Sequence, residues 1–374
     1  MRGRVPSPDV LFYSVSLETL IPPDHPLRAI KRRVDEELDR MRGAFAAAYS
    51  AMGAPSIPPE WLIKATLIQA LFSIRSERML CERIGYDLLF RWFLDMTLDD
   101  PVWDHSTFSK NRTRFAEHGL MRKFFDGAVA QAIAEETAGS EHFSVDGSLI
   151  QAWGSMKSFR PKDEDPPKDN NGWSDFEGQK RSNATHASTT DPEARLARKS
   201  SGQGAMLAHS MHVLMDNRHA LMLDVRVAEA HGTAEREMAE AMIKRVRRRH
   251  GLQPRTLGAD KGYDDGEFLH RVEKGLKIKP HVAVREGKIQ DEGIGGQARR
   301  RARRRARTKG YQISMVVRRK IEPVIGWMKR VAGLMKTRFA RREKTQLYAY
   351  AAGAAYNLMR SARMEIARQV PQGA

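Results

Sequence analysis

Three acidic residues are the side chains of this sequence best spaced to do chemistry together. Asp146 lies in FSVDGSLIQAW, where Phe143 and Val145 alternate with polar residues as on a half-buried strand. Asp260 ends the short run TLGAD, and Glu322 lies in RRKIEPVIGWMK. Carboxylates brought close together repel one another unless a cation lies between them, and Mg²⁺ takes hard oxygen ligands of this kind. Two such ions can hold the attacking and leaving oxygens of a phosphoryl displacement, so the three acids predict that chemistry.

Other groups compete with this assignment. A hydrogen-bonded carboxylate at a strand end or turn is the ordinary interpretation of any single Asp. Asp264 and Asp265 follow in GADKGYDD, but Asp260 fits better because it directly ends the strand. Three histidines have a spacing that matches no zinc site, so we expect ordinary polar roles for His209, His212 and His231.

Two cations accompany Glu322. Arg318 lies four residues before it and Lys329 seven residues after it, so a helix would place all three on roughly one face. This pattern suits a phosphodiester backbone that crosses the helix beside a metal-binding acid. An ordinary surface pattern of salt bridges is the alternative, and the charge of the surrounding segment favours the first interpretation.

The positive charge of the chain is concentrated in one segment. The 374 residues carry a net charge of +18, of which 18 basic minus two acidic residues, or +16, falls between Gly296 and Lys344. Seven arginines lie between Arg299 and Arg307. A solvated basic face is the ordinary interpretation of a charge run, but this density favours a polyanionic partner. Nucleic acid is preferred over an acidic membrane because no amphipathic apolar face accompanies the run.

The bulk properties of the sequence indicate a globular protein of the cytoplasm. Cys81 is the only cysteine, which excludes an internal disulfide framework and a CxxC metal site and fits a reducing compartment. The start, MRGRVPSPDV, lacks the apolar core of a signal peptide, and no uncharged apolar run reaches the length that spans a membrane.

Residues 58–115 are predicted to be helical. Pro58 and Pro59 suit a helix start, Ser76 can cap a second helix, and Gly85 can stop it. The last helix of the group, STFSKNRTRF, carries Arg112 among its basic residues. A helix-turn-helix-like DNA reader and a plain helical subdomain are both compatible with this segment.

From residue 140 onward, the pattern predicts strand, strand, strand, helix, strand, helix, strand, helix. The first and fourth strands of such a mixed sheet are commonly neighbours, which would bring Asp146 and Asp260 together. A polar tract at about 157–204 holds too few apolar residues for a core of its own, so we expect an exposed insertion. The helix from Ser314 should be kinked at Pro323, and an Ala-rich final helix should pack onto the domain.

The sequence also resembles a known family. RxxxExxxxxxK, formed by Arg318, Glu322 and Lys329, resembles the C-terminal signature of bacterial insertion-sequence transposases of the DDE class, in particular insertion-sequence family 5. RSERMLCERIGYDLLFRWFLDMTLDDPVWDHSTFSKNR, KRSNATHASTTDPEARLARK, EAHGTAERE, GWMKRVAGLMKTR and AAGAAYNLMR are similar to segments of the same family, so the resemblance covers most of the chain. Two departures are Met315, where the signature expects Tyr, and Pro323 directly after Glu322.

The resemblance implies a specific function. Asp146, Asp260 and Glu322 would be the three catalytic and metal-binding acids of an α/β, ribonuclease-H-like catalytic domain at 140–365, preceded by a helical N-terminal DNA-binding domain at 1–135. The cofactor would be Mg²⁺, with Mn²⁺ as a substitute, and the reaction cut-and-paste movement of a DNA element bounded by terminal inverted repeats. The partner would be double-stranded DNA, bound by a homodimer in the bacterial cytoplasm. The expected DNA-binding residues are Arg318, Lys329, Arg338, Lys336, Arg299, Arg303, Arg304 and Arg112.

Two rival functions fit the same residues. One is a DNA-binding protein without catalysis, such as a decayed transposase that acts as a repressor. The other is a nuclease that cuts DNA without joining it.

Overall fold

The computed structural model describes residues 16–50, 52–162, 181–199, 202–287 and 292–369. Helices form the N-terminal part: α1 Leu17–Leu20, α2 Pro26–Arg40, α3 Arg42–Ala48, α4 Pro59–Leu71, α5 Glu77–Tyr86, α6 Leu88–Leu94, α7 Ser106–Glu117 and α8 Leu120–Ala134. Strands and helices follow: β1 His142–Gln151, β2 Phe159–Pro161, β3 His186–Ser188, β4 Arg195–Ala197, β5 Met206–Asp216, β6 Met222–Glu229, α9 Ala234–His250, β7 Thr256–Ala259, α10 Gly266–His270, β8 Lys279–Val282, α11 Gly293–Arg305, α12 Lys309–Arg318, α13 Ile321–Arg330 and α14 Arg342–Gln369.

The main sheet has the strand order of a ribonuclease-H-like fold. β5 lies between β6 and β1 and is antiparallel to both, while β7 is parallel to β1 and β8 is parallel to β7. The short β4 pairs with the other end of β5. The predicted mixed sheet with flanking helices is confirmed, and so is the predicted neighbourhood of its first and fourth long strands, β1 and β7.

Local sequence signals account for several element boundaries. Pro59 occupies the first turn of α4, where a missing N–H is harmless, and the Ser76 hydroxyl caps α5 by accepting a bond of 3.1 Å from the Met79 amide. The hairpin between β5 and β6 turns around the Asp216 carboxylate, which accepts bonds from the amides of Arg218 and Leu221. The predicted start of α4 and the predicted cap of α5 are confirmed, whereas the predicted stop at Gly85 is wrong, since α5 continues to Tyr86.

Helices cover both faces of the sheet. Successive residues of a strand point to opposite faces, and on β6 the Asp224 carboxylate accepts a 2.7 Å bond from Arg245 of α9. The neighbouring Val225 faces α14, since a Cβ built on Gly353 would lie 3.4 Å from its side chain. α14 therefore packs onto the sheet, as predicted for the Ala-rich final helix.

The N-terminal helices share a hydrophobic core with the sheet. One cluster of buried apolar residues runs from Ile21 to Ala362, and α2, α4, α7 and α8 all pack against α14. The buried Arg33 of α2 joins the two parts through ion pairs of 2.9 Å to Glu135 and 2.5 Å to Glu365. The structure thus ties the N-terminal helices firmly to the region that contains the sheet.

The polar tract is folded at both ends. β2 and β3 form a two-stranded sheet, and a small cluster of Ala152, Phe159, Ala194 and Leu207 is buried beneath it. The Asp191 carboxylate, fully buried, accepts a 3.0 Å bond from His209 of β5. Ala152 and Leu207 lie outside the tract, so its two ends pack against apolar residues of the adjoining strands. The exposed insertion itself stays a prediction. Residues 163–180 and 200–201 lie outside the described residues.

The helix that carries Glu322 is broken one turn earlier than predicted. α12 ends at Arg318 and α13 begins at Ile321, so the interruption falls at Arg319 and Lys320 and not at Pro323. The proline ring conflicts with the carbonyl four residues before it, which is that of Arg319. Pro323 itself lies in the first turn of α13, where helical N–H bonds are absent in any case.

Within the described ranges, none of the helices combines the length and apolar character needed to cross a lipid bilayer.

Candidate active site

The predicted acids line one cleft. Pairing between β1 and β7 places Ser144 level with Gly258, and continuing this register places Asp146 level with Asp260. α13 packs along β1 and brings Glu322 and Lys329 to the same cleft, whose volume is about 1050 Å³. The structure therefore brings together all three predicted acids and one predicted phosphate-binding lysine.

The two strand-borne carboxylates are held by backbone amides. Asp146 Oδ1 accepts a 2.8 Å bond from the Gly147 amide, and Asp260 Oδ1 accepts a 2.8 Å bond from the Gly262 amide. Within the described part of the chain, the second oxygen of each carboxylate has no hydrogen-bond donor. These oxygens are available to a ligand in the cleft.

The electrostatics around Asp146 are unfavourable for a charged carboxylate. Burial, the largest cause, and the charges of Asp260 and Glu235 together raise the pKa of Asp146 to about 7, against the lowering effect of the Gly147 amide and of Arg318. Desolvation and neighbouring anions both penalise the ionised form. A cation bound in the cleft would remove much of this penalty.

Glu235 is a fourth acid of the cleft that the sequence reasoning missed. It lies in the first turn of α9, where the sequence indicated only a favourable interaction with the helix dipole. Glu235 lines the cleft together with Asp260, and burial and the charge of Asp260 raise the pKa of Glu235. The sequence signal for Glu235 is its position in the first turn of α9, the helix that follows β6.

The lining of the cleft also includes basic residues. Arg198 and Lys199, at the end of β4 in the polar tract, line the cleft together with Lys329 and Arg330 of α13. The Lys329 ammonium donates a 3.0 Å bond to the Ser148 hydroxyl. Burial and then the charge of Lys199 lower the pKa of Lys329. Two lysines that repel each other beside carboxylates form a site suited to a phosphate group between them.

The residues fit a divalent cation in their chemistry. Carboxylate oxygens without hydrogen-bond donors are hard ligands of the kind that Mg²⁺ and Mn²⁺ bind. Across the described segments, however, no three His, Cys, Asp or Glu side chains are close enough to hold an ion as they stand. Carboxylates without a cation between them repel one another, which favours larger distances between their oxygens.

Arg318 lies beside the acids but on a different helix from Glu322. Its side chain covers β7, since a Cβ built on Gly258 would lie 3.5 Å from Arg318 Cβ. Its Nε atom is buried and has no hydrogen-bond partner among the described residues. The predicted single helix face is therefore divided: Arg318 ends α12, whereas Glu322 and Lys329 lie on α13 and line the cleft.

Two predicted DNA contacts also bond inside the protein. Arg112 pairs with Glu77 at 2.6 Å and stacks over Phe339, and Arg338 donates a 2.9 Å bond to the Arg75 carbonyl. These contacts join the N-terminal helices to the segment before α14. The assignment of Arg112 and Arg338 to DNA stays a prediction.

The arginine run has two distinct sets of side chains. Four arginines attach α11 to the body of the domain: Arg299 binds the Asp264 carbonyl, Arg303 the carbonyls of Arg285 and Gly287, and Arg301 and Arg305 the Glu273 carboxylate. The remaining Arg300, Arg304 and Arg307 are exposed. Arg299 and Arg303 therefore have structural contacts, whereas Arg304 is exposed, and the assignment of all three to DNA stays a prediction. Lys336 is also exposed, next to Met335 at the rim of the cleft.

The competing residues have structural roles. Asp264 accepts a 2.8 Å bond from the Arg285 amide, and Asp265 caps α10 by accepting from the Phe268 amide. His209 pairs with Asp191, and burial lowers the pKa of His212 to about 4. Asp260 is the one of the three neighbouring aspartates that lines the cleft.

Comparison with known proteins identifies the family. The model of the family described as "Transposase DDE domain" matches residues 139–358, which is more than half of the chain and includes all four acids of the cleft. The chain belongs to this family of DDE transposases. A second model, "Transposase domain (DUF772)", matches residues 15–114. No curated protein matches the chain.

Two solved structures show a weak similarity to the chain. The Mos1 transposase paired-end complex with left transposon end is 10% identical, with a TM-score of 0.21 and coverage of 79% of this chain and 84% of that chain. The Mos1 strand transfer complex is 11% identical, with a TM-score of 0.20 and coverage of 78% and 82%. At these TM-scores the fold assignment rests on the strand order of the sheet itself.

Proposed function

We propose that this DDE transposase belongs to insertion-sequence family 5, cuts at the terminal inverted repeats of its element, and joins the 3′ ends to target DNA. Asp146, Asp260 and Glu322 are the catalytic acids of this proposal and its metal ligands. The observation that carries it is the meeting of these acids with Lys329 in one cleft of a ribonuclease-H-like domain. The family signature in RRKIEPVIGWMK supports the narrower assignment.

The chemistry divides between a cation and the residues of the chain. A bound Mg²⁺ or Mn²⁺ would supply the Lewis acidity that activates water and stabilises the departing oxygen. Asp146 and Asp260 are prepared to bind it because the Gly147 and Gly262 amides fix one oxygen of each. Lys329, already oriented by Ser148, neutralises phosphate charge and aligns the scissile backbone.

No side chain of the protein needs to attack the DNA. Water attacks first and the freed 3′ hydroxyl attacks next, so neither step requires a covalent link to the protein. Cys81 is unsuited to such a link, since burial raises the pKa of its thiol to about 11 and it lies among the N-terminal helices. This agrees with a reaction made of two displacements at one site.

Binding of DNA is assigned to two regions in this proposal. Residues 1–135 select the element's end, whereas Arg304, Lys336 and Arg318 add salt-sensitive affinity for the backbone within the domain at 140–365. The two ends of an element must be joined together, so we expect a homodimer on DNA. The bacterial nucleoid is the compartment in which these partners meet.

A cleavage and strand-transfer assay tests the proposal. The full-length protein is incubated with Mn²⁺ or Mg²⁺ and a plasmid that carries the element's ends, and nicked, excised and joined products are separated on gels. Asp146→Asn should reduce cutting by at least about 100-fold while the gel-shift affinity for the ends stays within about twofold. Asp265→Asn, which alters a carboxylate outside the cleft, is the matched control for cutting.

The rival functions predict different products. Binding of the ends without scission under any divalent cation would identify a repressor-like protein. Cutting without joined products would identify a nuclease. Cutting that survives in Asp146→Asn would show that the metal assignment is wrong.

A further inference from the structure

Glu235 is enclosed by the backbone of the two strands that carry the aspartates. A Cβ built on Gly147 would lie 3.0 Å from Glu235 Oε1, and a Cβ built on Gly262 would lie 3.3 Å from Glu235 Oε2. The same Cβ on Gly262 would lie 2.9 Å from Asp260 Oδ1. Glycine at both positions therefore leaves the space that the Glu235 carboxylate fills, next to the proposed metal ligands.

Glu235 has no partner that explains this position. Throughout the described chain, its carboxylate makes neither a hydrogen bond nor an ion pair with another residue. The adjacent Arg236 donates a 3.2 Å bond to the Gly262 carbonyl, and its charge favours the ionised form of Glu235 without forming an ion pair with it. A half-buried carboxylate beside two other carboxylates, without a direct ion pair, is an unfavourable arrangement for a purely structural residue.

Two buried polar atoms near the same carboxylates also lack hydrogen-bond partners among the described residues. The Tyr263 hydroxyl is fully buried and without a hydrogen bond, and the charges of Glu235, Asp146 and Asp260 all act on it. His212 Nδ1, likewise buried and unpaired, would lie 3.1 Å from a Cβ on Gly147, where it faces the same space as Glu235. Buried polar atoms without partners indicate a ligand or a bound water that completes the site.

The helix dipole does not account for Glu235. An acid in the first turn of α9 is favoured by the dipole, and Glu237 shows this ordinary role. Glu237 is exposed and accepts a 2.6 Å bond from the Thr233 hydroxyl. Glu235, two residues earlier in the chain, instead lines the cleft.

We propose that Glu235 is a further oxygen ligand of the divalent cation that Asp146 and Asp260 bind. This inference rests on the proposed function and adds a fourth acid, from α9, to the three acids of the family signature. It assigns the α9 helix a direct part in assembling the site. An exposed acid of the same helix, Glu237, provides the matched control.

The test measures Mn²⁺ binding rather than catalysis. Mn²⁺ affinity of the full-length protein is measured by electron paramagnetic resonance for the wild type and for Glu235→Gln, Glu237→Gln and Asp146→Asn. We expect Glu235→Gln to weaken Mn²⁺ binding on the order of 10- to 100-fold and Glu237→Gln to leave it unchanged. In the absence of metal, Glu235→Gln should raise Tm by about 2–4 °C, since it removes a repelling charge.

Each outcome has a distinct meaning. Wild-type Mn²⁺ affinity in Glu235→Gln, together with weakened binding in Asp146→Asn, would refute the inference and leave the proposed function intact. Wild-type affinity in both variants would refute the proposed metal site itself. A lower metal-free Tm in Glu235→Gln, matched by Glu235→Ala, would show a structural role and refute the inference.

Discussion

The ionisation of Asp146 gives a quantitative prediction for the metal-free protein. The pKa of this carboxyl is raised from 3.8 to about 7, chiefly by burial. Each unit corresponds to about 1.4 kcal/mol, so the shift amounts to about 4 kcal/mol. Because solvent reaches the cleft and screens the charges, we expect about half of this, or about 2 kcal/mol, to be measurable. Asp146→Asn removes the ionisable group and should stabilise the metal-free protein by that amount at about pH 8.

The pH dependence has a definite sign. A carboxyl whose pKa is higher in the folded state than in the unfolded state binds more protons when folded, so its ionisation destabilises the fold. The penalty is absent below the unfolded value of 3.8, grows as the pH rises, and is complete above about 7. The advantage of Asp146→Asn should therefore vanish near pH 4.

Thermal unfolding in EDTA measures this effect. A gain of about 2 kcal/mol corresponds to a Tm increase of roughly 4–8 °C for a domain of this size. Adding Mn²⁺ should reverse the order of the two proteins, since only the wild type retains the full ligand set. An equal Tm for the two proteins at about pH 8, or the same gain at about pH 4, would refute the electrostatic reasoning.

Three further predictions concern the basic residues. Arg304→Gln should lower the salt dependence of DNA binding without changing Tm, since Arg304 is exposed. Arg305→Gln should instead lower Tm, because Arg305 pairs with Glu273 and so anchors α11. Gel shifts over a range of salt concentrations and thermal unfolding of both variants test these expectations. Lys199→Met should reduce the slope of log affinity against log salt by about one, since one phosphate contact is lost, and an unchanged slope would exclude Lys199 from the interface. Arg33→Met should destabilise the whole protein by about 3 kcal/mol in urea unfolding, because it leaves two glutamates without their shared partner; unfolding of the N-terminal helices alone would contradict the common core.

The order of the sheet and its two aspartates could be predicted from the sequence. Alternating apolar residues in FSVDGSLIQAW and the short run TLGAD define β1 and β7, and strand pairing then determines that Asp146 and Asp260 meet. Family motifs added Glu322. These signals are local, so they do not depend on how distant parts of the chain pack.

Tertiary partners were beyond the reach of the sequence. Arg112 and Arg338 are basic residues in basic segments, and only the packing of α7 against Phe339 shows that they are used internally. Arg299 and Arg304 belong to one run, yet one contacts the body of the domain and the other faces solvent. Glu235 was missed for the same reason, since its position in the cleft depends on two glycines distant in the sequence.

The common core of the N-terminal helices and the sheet would fix the distance along DNA between the recognised sequence and the cleavage site. α14 contacts both parts along its length, and Arg33 fastens them together. With the element's end held by the N-terminal helices, the cleft would stand at a set number of base pairs from the recognised sequence. The distance from the recognised bases to the cleavage site would then be fixed by the protein. Inserting half a turn of DNA between the recognised bases and the element's tip would rotate the scissile phosphate to the side of the duplex that faces away from the cleft.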